Sequence, residues 1–255
     1  MYRKILSVFF AASLIGIFSS VAFAQDEWRW PDKPKNLQVL NKDWPGSRLS
    51  PVMRGFTRAL GVRCTYCHTG EEGKPLSTYD FESDQNPNKN RTREMLRMLG
   101  DVNAHLKKIE PSGDQRVNMW CHTCHRGRPR PMTLEEELNE QYRSKGIDAA
   151  FTHYQDLRKR FMEKGAYDFS ESSLNNFGYA LLEKKDTAGA IRVFQLNAQL
   201  FPKSGNVWDS LADAYLKAGD KKSARKFYQK TLRLDPTSES AKENLKKLDA
   251  RDNKN

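Results

Sequence analysis

Apolar positions recur along this 255-residue chain with the spacing of helices rather than of strands. In the first such segment, Ser50 and Pro51 are residue types that favour a helix N-cap and first helical position, and Gly61 is the type that ends a helix. Between them one apolar face is formed, at i, i+3, i+4 and i+7, by Met53, Phe56, Thr57 and Leu60. The pattern predicts a helix over residues 51–60.

A second amphipathic helix is predicted from about Arg91 to Leu106. Its apolar side is formed by Met95, Met98, Leu99, Val102 and Leu106. Residues 70–90, between the two helices, are rich in Gly, Pro, Ser, Asp and Asn, which predicts a long loop. Residues 26–44 are polar and contain prolines, and we expect extended chain there.

From Leu134 onward the pattern is helical and free of cysteine, and residue types repeat with a period of 34. The matched pairs are Leu174 and Trp208, Phe177 and Leu211, Gly178 and Ala212, Leu181 and Tyr215, Ala190 and Ala224, Phe194 and Tyr228, and Pro202 and Pro236. This period and these types resemble the tetratricopeptide repeat, a helical hairpin whose stacked copies form a solenoid.

Two hairpins bury little core, so a further unit is expected. Residues 134–166 are predicted to supply it as a degenerate repeat or adaptor, because Ala150, Tyr154 and Leu157 have the spacing of a repeat's second helix. Residues 239–250 are predicted to form a final solvating helix. By the same resemblance, Asn175, Tyr179, Asp209 and Asp213 are expected to face the groove of the solenoid, where a protein partner would bind.

The N-terminus has the pattern of a secretory signal: a positive start at Arg3 and Lys4, an apolar run over 5–18, and small residues before a cleavage point after Ala24. We expect export to the periplasm, and the alternative is a retained membrane anchor. The formal charge of +11 falls to +9 when Arg3 and Lys4 are removed. The chain lacks a basic stripe with interleaved aromatics, and no nucleic-acid partner is expected.

The four cysteines form two motifs that each end in histidine, Cys64-Thr65-Tyr66-Cys67-His68 and Cys121-His122-Thr123-Cys124-His125. This spacing indicates covalent c-type haem attachment, since two thiols on one turn can add to two vinyl groups while the next histidine reaches the iron. Disulfides need no histidine, and a zinc site does not need one directly after each second cysteine. The sequence therefore predicts two haem c groups, with Cys64, Cys67, Cys121 and Cys124 as attachment sites and His68 and His125 as iron ligands.

The sixth ligand decides between an electron carrier and an open, reactive iron. Met53 precedes the first motif on the first predicted helix. Met95 and Met98 precede the second motif on the second predicted helix. A methionine on an apolar helix face also serves as core filler, so spacing alone leaves both roles open. Arg126, Arg128 and Arg130, directly after the second motif, are candidates for pairing with haem propionates or for a solvated basic turn.

The segments 53–68, 93–98 and 121–127 resemble the cytochrome subunit of photosynthetic reaction centres. In that family each unit is a helix that supplies methionine, a turn, and the haem motif. The resemblance covers roughly residues 37–132. It implies Met53 as sixth ligand of the first haem and Met95, rather than Met98, for the second. The chain departs from the best-known members in having two motifs where they have four, so the resemblance implies a haem architecture and not photosynthesis.

These observations predict an all-α protein: a dihaem c-type cytochrome domain with few helices and long loops, followed by an α-solenoid. The predicted divisions are a signal peptide (1–24), the dihaem domain (25–132), the adaptor (133–170), the repeat domain (171–250) and a polar tail (251–255). The predicted function is periplasmic electron transfer between redox partner proteins, a membrane-bound complex among the candidates, rather than catalysis. The alternatives are a dihaem peroxidase or gas sensor with one open iron, and a scaffold whose haems are structural.

Overall fold

A computed structural model describes residues 28–109 and 118–252, with side chains to residue 250. The described residues are helical, with one isolated β-bridge between Thr69 and Asp80 and two short 3-10 turns, Cys64–Tyr66 and Leu76–Thr78. The α-helices are α1 (Gly46–Leu60), α2 (Pro87–Ile109), α3 (Cys121–His125), α4 (Leu134–Lys145), α5 (Ile147–Phe161), α6 (Glu171–Glu183), α7 (Thr187–Leu200), α8 (Gly205–Lys217), α9 (Lys221–Leu234) and α10 (Glu239–Asp252). The prediction of an all-α fold with a helical solenoid is confirmed.

Helix α1 begins at Gly46, four residues before the predicted N-cap, Ser50. Its N-cap is Pro45, so the prediction of Ser50 as N-cap is wrong, and Pro51 lies inside the helix. Two contacts stabilise this early start. The Gly46 N–H donates to the carbonyl of Pro31 at 3.1 Å, and the Leu49 side chain is buried. These contacts offset the backbone hydrogen bond that Pro51 cannot make. The predicted C-terminus is right: Gly61 caps the helix with φ of 65°.

Helix α2 extends beyond the predicted 91–106 at both ends. Pro87 occupies its first position, where a missing N–H costs nothing. Over 23 residues its one buried residue is Arg93. The predicted signal peptide over 1–24 lies outside the described residues. No helix within the described ranges is both long and apolar enough to cross a membrane.

The helix boundaries follow the 34-residue period of the sequence. Helix α8 begins and ends 34 positions after α6, and α9 begins and ends 34 positions after α7. Gly178 of α6 faces Phe194 of α7 so closely that an added Cβ would lie 2.5 Å from the ring. This is the close approach that the small residue predicts. Each second helix is N-capped by an aspartate, Asp186 and Asp220, which accepts a backbone N–H bond at 2.8 Å and 2.9 Å respectively.

Helices α4 and α5 form the additional hairpin and pack against α6. One continuous core joins them to the repeats, since buried side chains run without a break from Leu134 to Ala214. Helix α10 covers the far end through Ala241 and Leu248, which pack with Tyr228 of α9. The predicted domain boundaries at residues 132 and 170 stay predictions.

Candidate haem sites

The first Cys-x-x-Cys-His motif is wound into a tight turn directly after α1. The N–H groups of Cys67 and His68 both donate to the carbonyl of Cys64, at 3.2 Å and 2.9 Å. This single turn brings both thiols and the imidazole to the wall of one cavity. The spacing of the motif therefore has the geometric consequence that covalent haem attachment requires.

That cavity has a volume of about 920 Å³ and is lined mainly by apolar side chains, within the size range of small-molecule and cofactor sites. Helix α1 supplies one wall with the face predicted from its periodicity, Met53, Phe56, Thr57 and Leu60. Other apolar walls come from Trp28, Leu37, Leu49, Leu76, Phe81 and Leu96. The structure thus brings together Met53, Cys64, Cys67 and His68, the full residue set expected at the first haem.

His68 is partly buried in this wall and packs edge-on against Phe81, with ring centroids 5.0 Å apart. Its Nδ1 is buried and has no hydrogen-bond partner. Burial, with the positive charges of Lys89 and Arg93 adding to it, lowers the pKa of His68 to about 4. The imidazole is neutral at neutral pH, which is the form that coordinates a metal.

Two cations and one carboxylate lie beside the cavity. Lys89 donates to the carbonyls of Phe81, Glu82 and Ser83 at 2.8–3.1 Å. Lys89 and Arg93 both pair with Asp84 Oδ1, at 3.1 Å and 3.0 Å. The sequence analysis missed this cluster, since its members carry no spacing signal.

The cluster ties the extended N-terminal segment to the cavity wall. Arg93, whose side chain is nearly buried, also donates to the carbonyl of Asn36 at 3.2 Å. Its hydrogen bond to Asp84, foremost, with further bonds from Lys89 and Asn36, holds the pKa of that carboxyl well below its usual range.

The second motif forms the short helix α3. His125 is 7% exposed, and its Nδ1 lies 2.9 Å from the carbonyl oxygen of Arg128. A carbonyl only accepts, so Nδ1 carries the proton, and Nε2 is left with the lone pair that an iron ligand needs. Cys121 is half-buried and Cys124 is exposed.

All four cysteines lie in the described ranges, and none of them is paired in a disulfide. Burial raises the pKa of Cys67 and of Cys121.

The C-terminal end of helix α1, just before the first motif, contacts the residues that follow the second motif. The Gly127 N–H, just after α3, donates to the carbonyl of Ala59 near the end of α1 at 2.8 Å. A Cβ on Gly61 would lie 2.1 Å from the Gly127 carbonyl oxygen. Cys64 is three residues beyond Gly61, and Cys124 three residues before Gly127, so the two thiol pairs lie on either side of one backbone contact.

The methionines of α2 are placed differently from Met53. Met95 is 40% exposed and Met98 50% exposed, and neither lines the first cavity. Asn103 of α2 binds both backbone groups of Met119, at 2.7 Å and 3.0 Å, and so fixes α2 against the chain that enters the second motif. Trp120 and Ile109 are further exposed large apolar side chains at this end of the molecule. The choice between Met95 and Met98 as sixth ligand of the second haem stays open.

The expected groove residues lie on α6 and α8. The Tyr179 hydroxyl donates to Asp213 Oδ2 at 3.0 Å, which links two equivalent positions of successive repeats. Asp209 and Asn175 each have a buried side-chain oxygen without a hydrogen-bond partner. Burial raises the pKa of Asp209. The two carboxylates and the tyrosine therefore form a half-buried polar surface.

Two parts of the chain are similar to known proteins. Residues 205–238 match the tetratricopeptide repeat. Among solved structures, the first such domain of human RPAP3 covers 46% of this chain and 87% of its own length, with 20% identity and a TM-score of 0.33. The OM64 domain of Arabidopsis covers 46% and 93%, with 19% identity and a TM-score of 0.34.

For the haem region, cytochrome c-554 of Chloroflexus aurantiacus is 39% identical over 94 residues, which are 37% of this chain and 20% of that protein. The chain thus matches about a fifth of the length of that relative. Residues 35–195, which include both motifs and the helices to α7, match the photosynthetic reaction centre cytochrome C subunit. The chain therefore belongs to the family of photosynthetic reaction-centre cytochrome c subunits.

Proposed function

We propose that this protein carries two covalently attached haems and transfers electrons between redox proteins of the periplasm. The family supports a c-type cytochrome in electron transfer. The observation that carries the finer proposal is the first cavity, where Met53, Cys64, Cys67 and His68 line one apolar space. This residue set fits haem c, since it supplies two attachment thiols and two strong iron ligands.

At the first site Cys64 and Cys67 would hold the haem edge, and His68 and Met53 would hold the iron. The bound group supplies one-electron exchange without bond rearrangement. The chain contributes an apolar wall that excludes water and a methionine ligand, both of which favour the reduced iron and raise its potential. The neighbouring cations Lys89 and Arg93 act in the same direction, since they favour the less positive state.

At the second site Cys121 and Cys124 would attach the haem, and His125 would ligate the iron through Nε2. Met95 is the proposed sixth ligand, with Met98 as its competitor one turn away on α2. Exposed apolar side chains on α2 and directly before α3, Met95, Met98 and Trp120, offer apolar surface of the kind that a porphyrin covers.

The helical hairpins provide the docking part of the proposal. The groove residues Asn175, Tyr179, Asp209 and Asp213 would contact a protein partner, and the haem region would exchange electrons with a donor or acceptor. The signal pattern of residues 1–24 supports export, and haem c is attached in that compartment. Two filled sixth positions would leave no iron open for catalysis, which supports a carrier rather than an enzyme.

The test begins with the full chain expressed in a host with c-type haem maturation. Mass spectrometry should show two haems attached. The dithionite-reduced spectrum should not change when carbon monoxide is added, because both irons have strong sixth ligands. A large Soret shift in the wild-type protein would overturn the carrier and favour the dihaem peroxidase or gas-binding alternative.

Ligand identity follows from matched substitutions. Met53→Leu and Met95→Leu should each admit carbon monoxide to one haem, while Met98→Leu leaves the spectrum unchanged. Met162→Leu, at an exposed methionine between α5 and α6, controls for methionine loss in general. Carbon monoxide binding in Met98→Leu but not in Met95→Leu would move the second ligand to Met98.

A further inference from the structure

The turn that leaves the second motif is held by one buried arginine. Arg128 is 7% exposed, and its guanidinium donates to two carbonyls, through Nε to His125 at 3.3 Å and through Nη1 to Met132. Its backbone N–H also donates to the His125 carbonyl at 2.9 Å. The side chain therefore ties together both ends of residues 125–132, and it fixes the carbonyl of Arg128 in space.

Arg128 is in turn held by the helical region. Its guanidinium carbon lies 4.1 Å from the ring centroid of Tyr167, a cation–π contact in a desolvated place. Tyr167 lies between α5 and α6, and its hydroxyl donates to Glu137 of α4 at 3.1 Å. Its ring packs edge-on against Phe161 at 5.5 Å and Phe169 at 6.0 Å. The tyrosine thus belongs to the solenoid core and reaches out to the haem-region turn.

A second link runs beside the first. Arg126, which caps α3 with φ of 48°, donates through Nη1 to the carbonyl of Gly165 at 3.1 Å. Two arginines of the exit turn, Arg126 and Arg128, therefore contact the same short segment, 165–167. Both arginines therefore link the exit turn to the segment between α5 and α6.

The carbonyl oxygen of Arg128, at the anchored turn, is also the hydrogen-bond acceptor of His125. The carbonyl of Arg128 accepts the Nδ1–H bond of His125 at 2.9 Å, and hydrogen bonds of this kind orient a metal-binding imidazole and raise its basicity. We infer that Arg128 and Tyr167 are positioning residues through which the helical region sets the orientation and basicity of His125, and hence the redox potential of the second haem. This inference rests on the proposed function, because it assumes that His125 ligates an iron.

The direction of the effect follows from the chemistry. A more basic imidazole stabilises the oxidised iron, so an intact Nδ1–H bond lowers the potential. Loss of the Tyr167 ring lets Arg128 move, weakens that bond and raises the potential of the second haem. The first haem lies beyond this hydrogen-bond chain and serves as an internal reference.

The experiment compares Tyr167→Leu with Tyr167→Phe in the full two-haem protein. Potentiometric titration should show the second haem shifted upward in Tyr167→Leu and the first haem unchanged. Tyr167→Phe keeps a ring beneath the guanidinium and should titrate as the wild type does. A protein in which Cys121 and Cys124 are alanine assigns the two titration waves. The electron paramagnetic resonance signal of the second ferric haem should change in Tyr167→Leu alone, since it reports the orientation of the imidazole.

Several outcomes would overturn the inference. They are unchanged potentials in a folded Tyr167→Leu protein, equal shifts at both haems, or a shift of the same size in Tyr167→Phe. If Tyr167→Leu does not fold, Arg128→Lys replaces it: this variant keeps the charge but loses the planar fork and its stacking, and its second haem should also shift upward. Absence of a second haem from the wild-type mass would instead count against the proposed function.

Discussion

The haem region and the solenoid use apolar residues in opposite ways. Helix α2 has one buried residue, Arg93, in 23 positions, whereas α6 buries six residues in 13. Among the described residues, the buried apolar side chains before residue 134 are Leu49 and Ala59, and all others lie between residues 134 and 248. The solenoid packs against itself. The haem region arranges its apolar side chains around a cavity of about 920 Å³.

This difference shows where each region obtains its stability. The solenoid buries apolar surface inside the chain, at about 25 cal/mol per Å². The haem region leaves comparable side chains facing a space that a cofactor would fill. Its protein-only contacts include backbone bonds, ring contacts such as His68 with Phe81, and ion pairs such as that of Lys89 with Asp84. We therefore expect the two regions to respond oppositely to loss of the cofactor and to changes in packing.

The largest effect should come from Cys64→Ala combined with Cys67→Ala. Without covalent attachment the first cavity loses its haem. Residues 28–132 should then lose protection from proteolysis, while helices α4–α10 stay folded. Limited proteolysis followed by mass spectrometry should give fragments that begin near residue 133. Equal protection of both regions would show that the haem region folds without its first haem.

The reverse experiment is Leu181→Ala in the solenoid. Leu181 is fully buried, and its truncation should cost about 2–5 kcal/mol of unfolding free energy. The first haem and its spectrum should be retained. Loss of that haem in this variant would mean that the regions unfold as one unit.

Gly61→Ala should have the next largest effect. The residue has φ of 65°, and its added Cβ would lie 2.1 Å from the carbonyl oxygen of Gly127, a backbone atom that cannot rotate away. The cost should be about 3 kcal/mol or more, measured by urea unfolding followed through haem absorbance.

Gly55→Ala is the matched control for Gly61. It lies on the same helix, and an added Cβ meets nothing within 4 Å. That change should stabilise α1 by about 0.5–1 kcal/mol, because alanine favours a helix more than glycine does. Similar effects of the two substitutions would refute the contact between the motifs.

Gly178→Ala tests the density of the solenoid core. Three ring atoms of Phe194 lie 2.5–3.0 Å from the added Cβ, and Phe194 is fully buried. Overpacking should cost about 1–3 kcal/mol in thermal or urea unfolding. In a Phe194→Leu background the same change should be better tolerated, and a double-mutant cycle gives the coupling. Additive effects would contradict direct contact.

The smallest effect is expected at Lys185. It has φ of 64°, and the equivalent residue of the next repeat, Gly219, has φ of 82°. A lysine in this left-handed region is strained, so Lys185→Gly should stabilise the solenoid by about 0.5–1 kcal/mol. Gly219→Lys should destabilise it by a similar amount. A stabilising Gly219→Lys would show that the position does not govern the turn.

Sequence predicted most reliably what is local or periodic. The 34-residue register follows from residue types that recur, and the aspartate caps Asp186 and Asp220 could have been found from the same period. The face of Met53 and Phe56 follows from helical spacing, and in the structure this face lines the cavity. Both haem motifs are contiguous, so the local turn of each can be predicted from its own residues.

What the sequence did not predict depends on contacts between distant positions. The early start of α1 rests on Pro31, and the Asp84 cluster joins α2 to Asn36. Arg128 meets Tyr167 across a segment that contains two helices. Neither arginine nor tyrosine has a spacing signal for such a contact, since the contact arises only when the two regions pack.

The bond between Gly127 and Ala59 is made by backbone atoms alone. Every residue type except proline can donate it and every residue can accept it, so substitutions on the surface of α1 cannot alter it gradually. Electron tunnelling falls off exponentially with distance, and this contact ties the end of α1, just before the first motif, to the residue that follows the cap of α3. If both motifs carry haem as proposed, side chains near either site can change its driving force while this backbone contact stays the same.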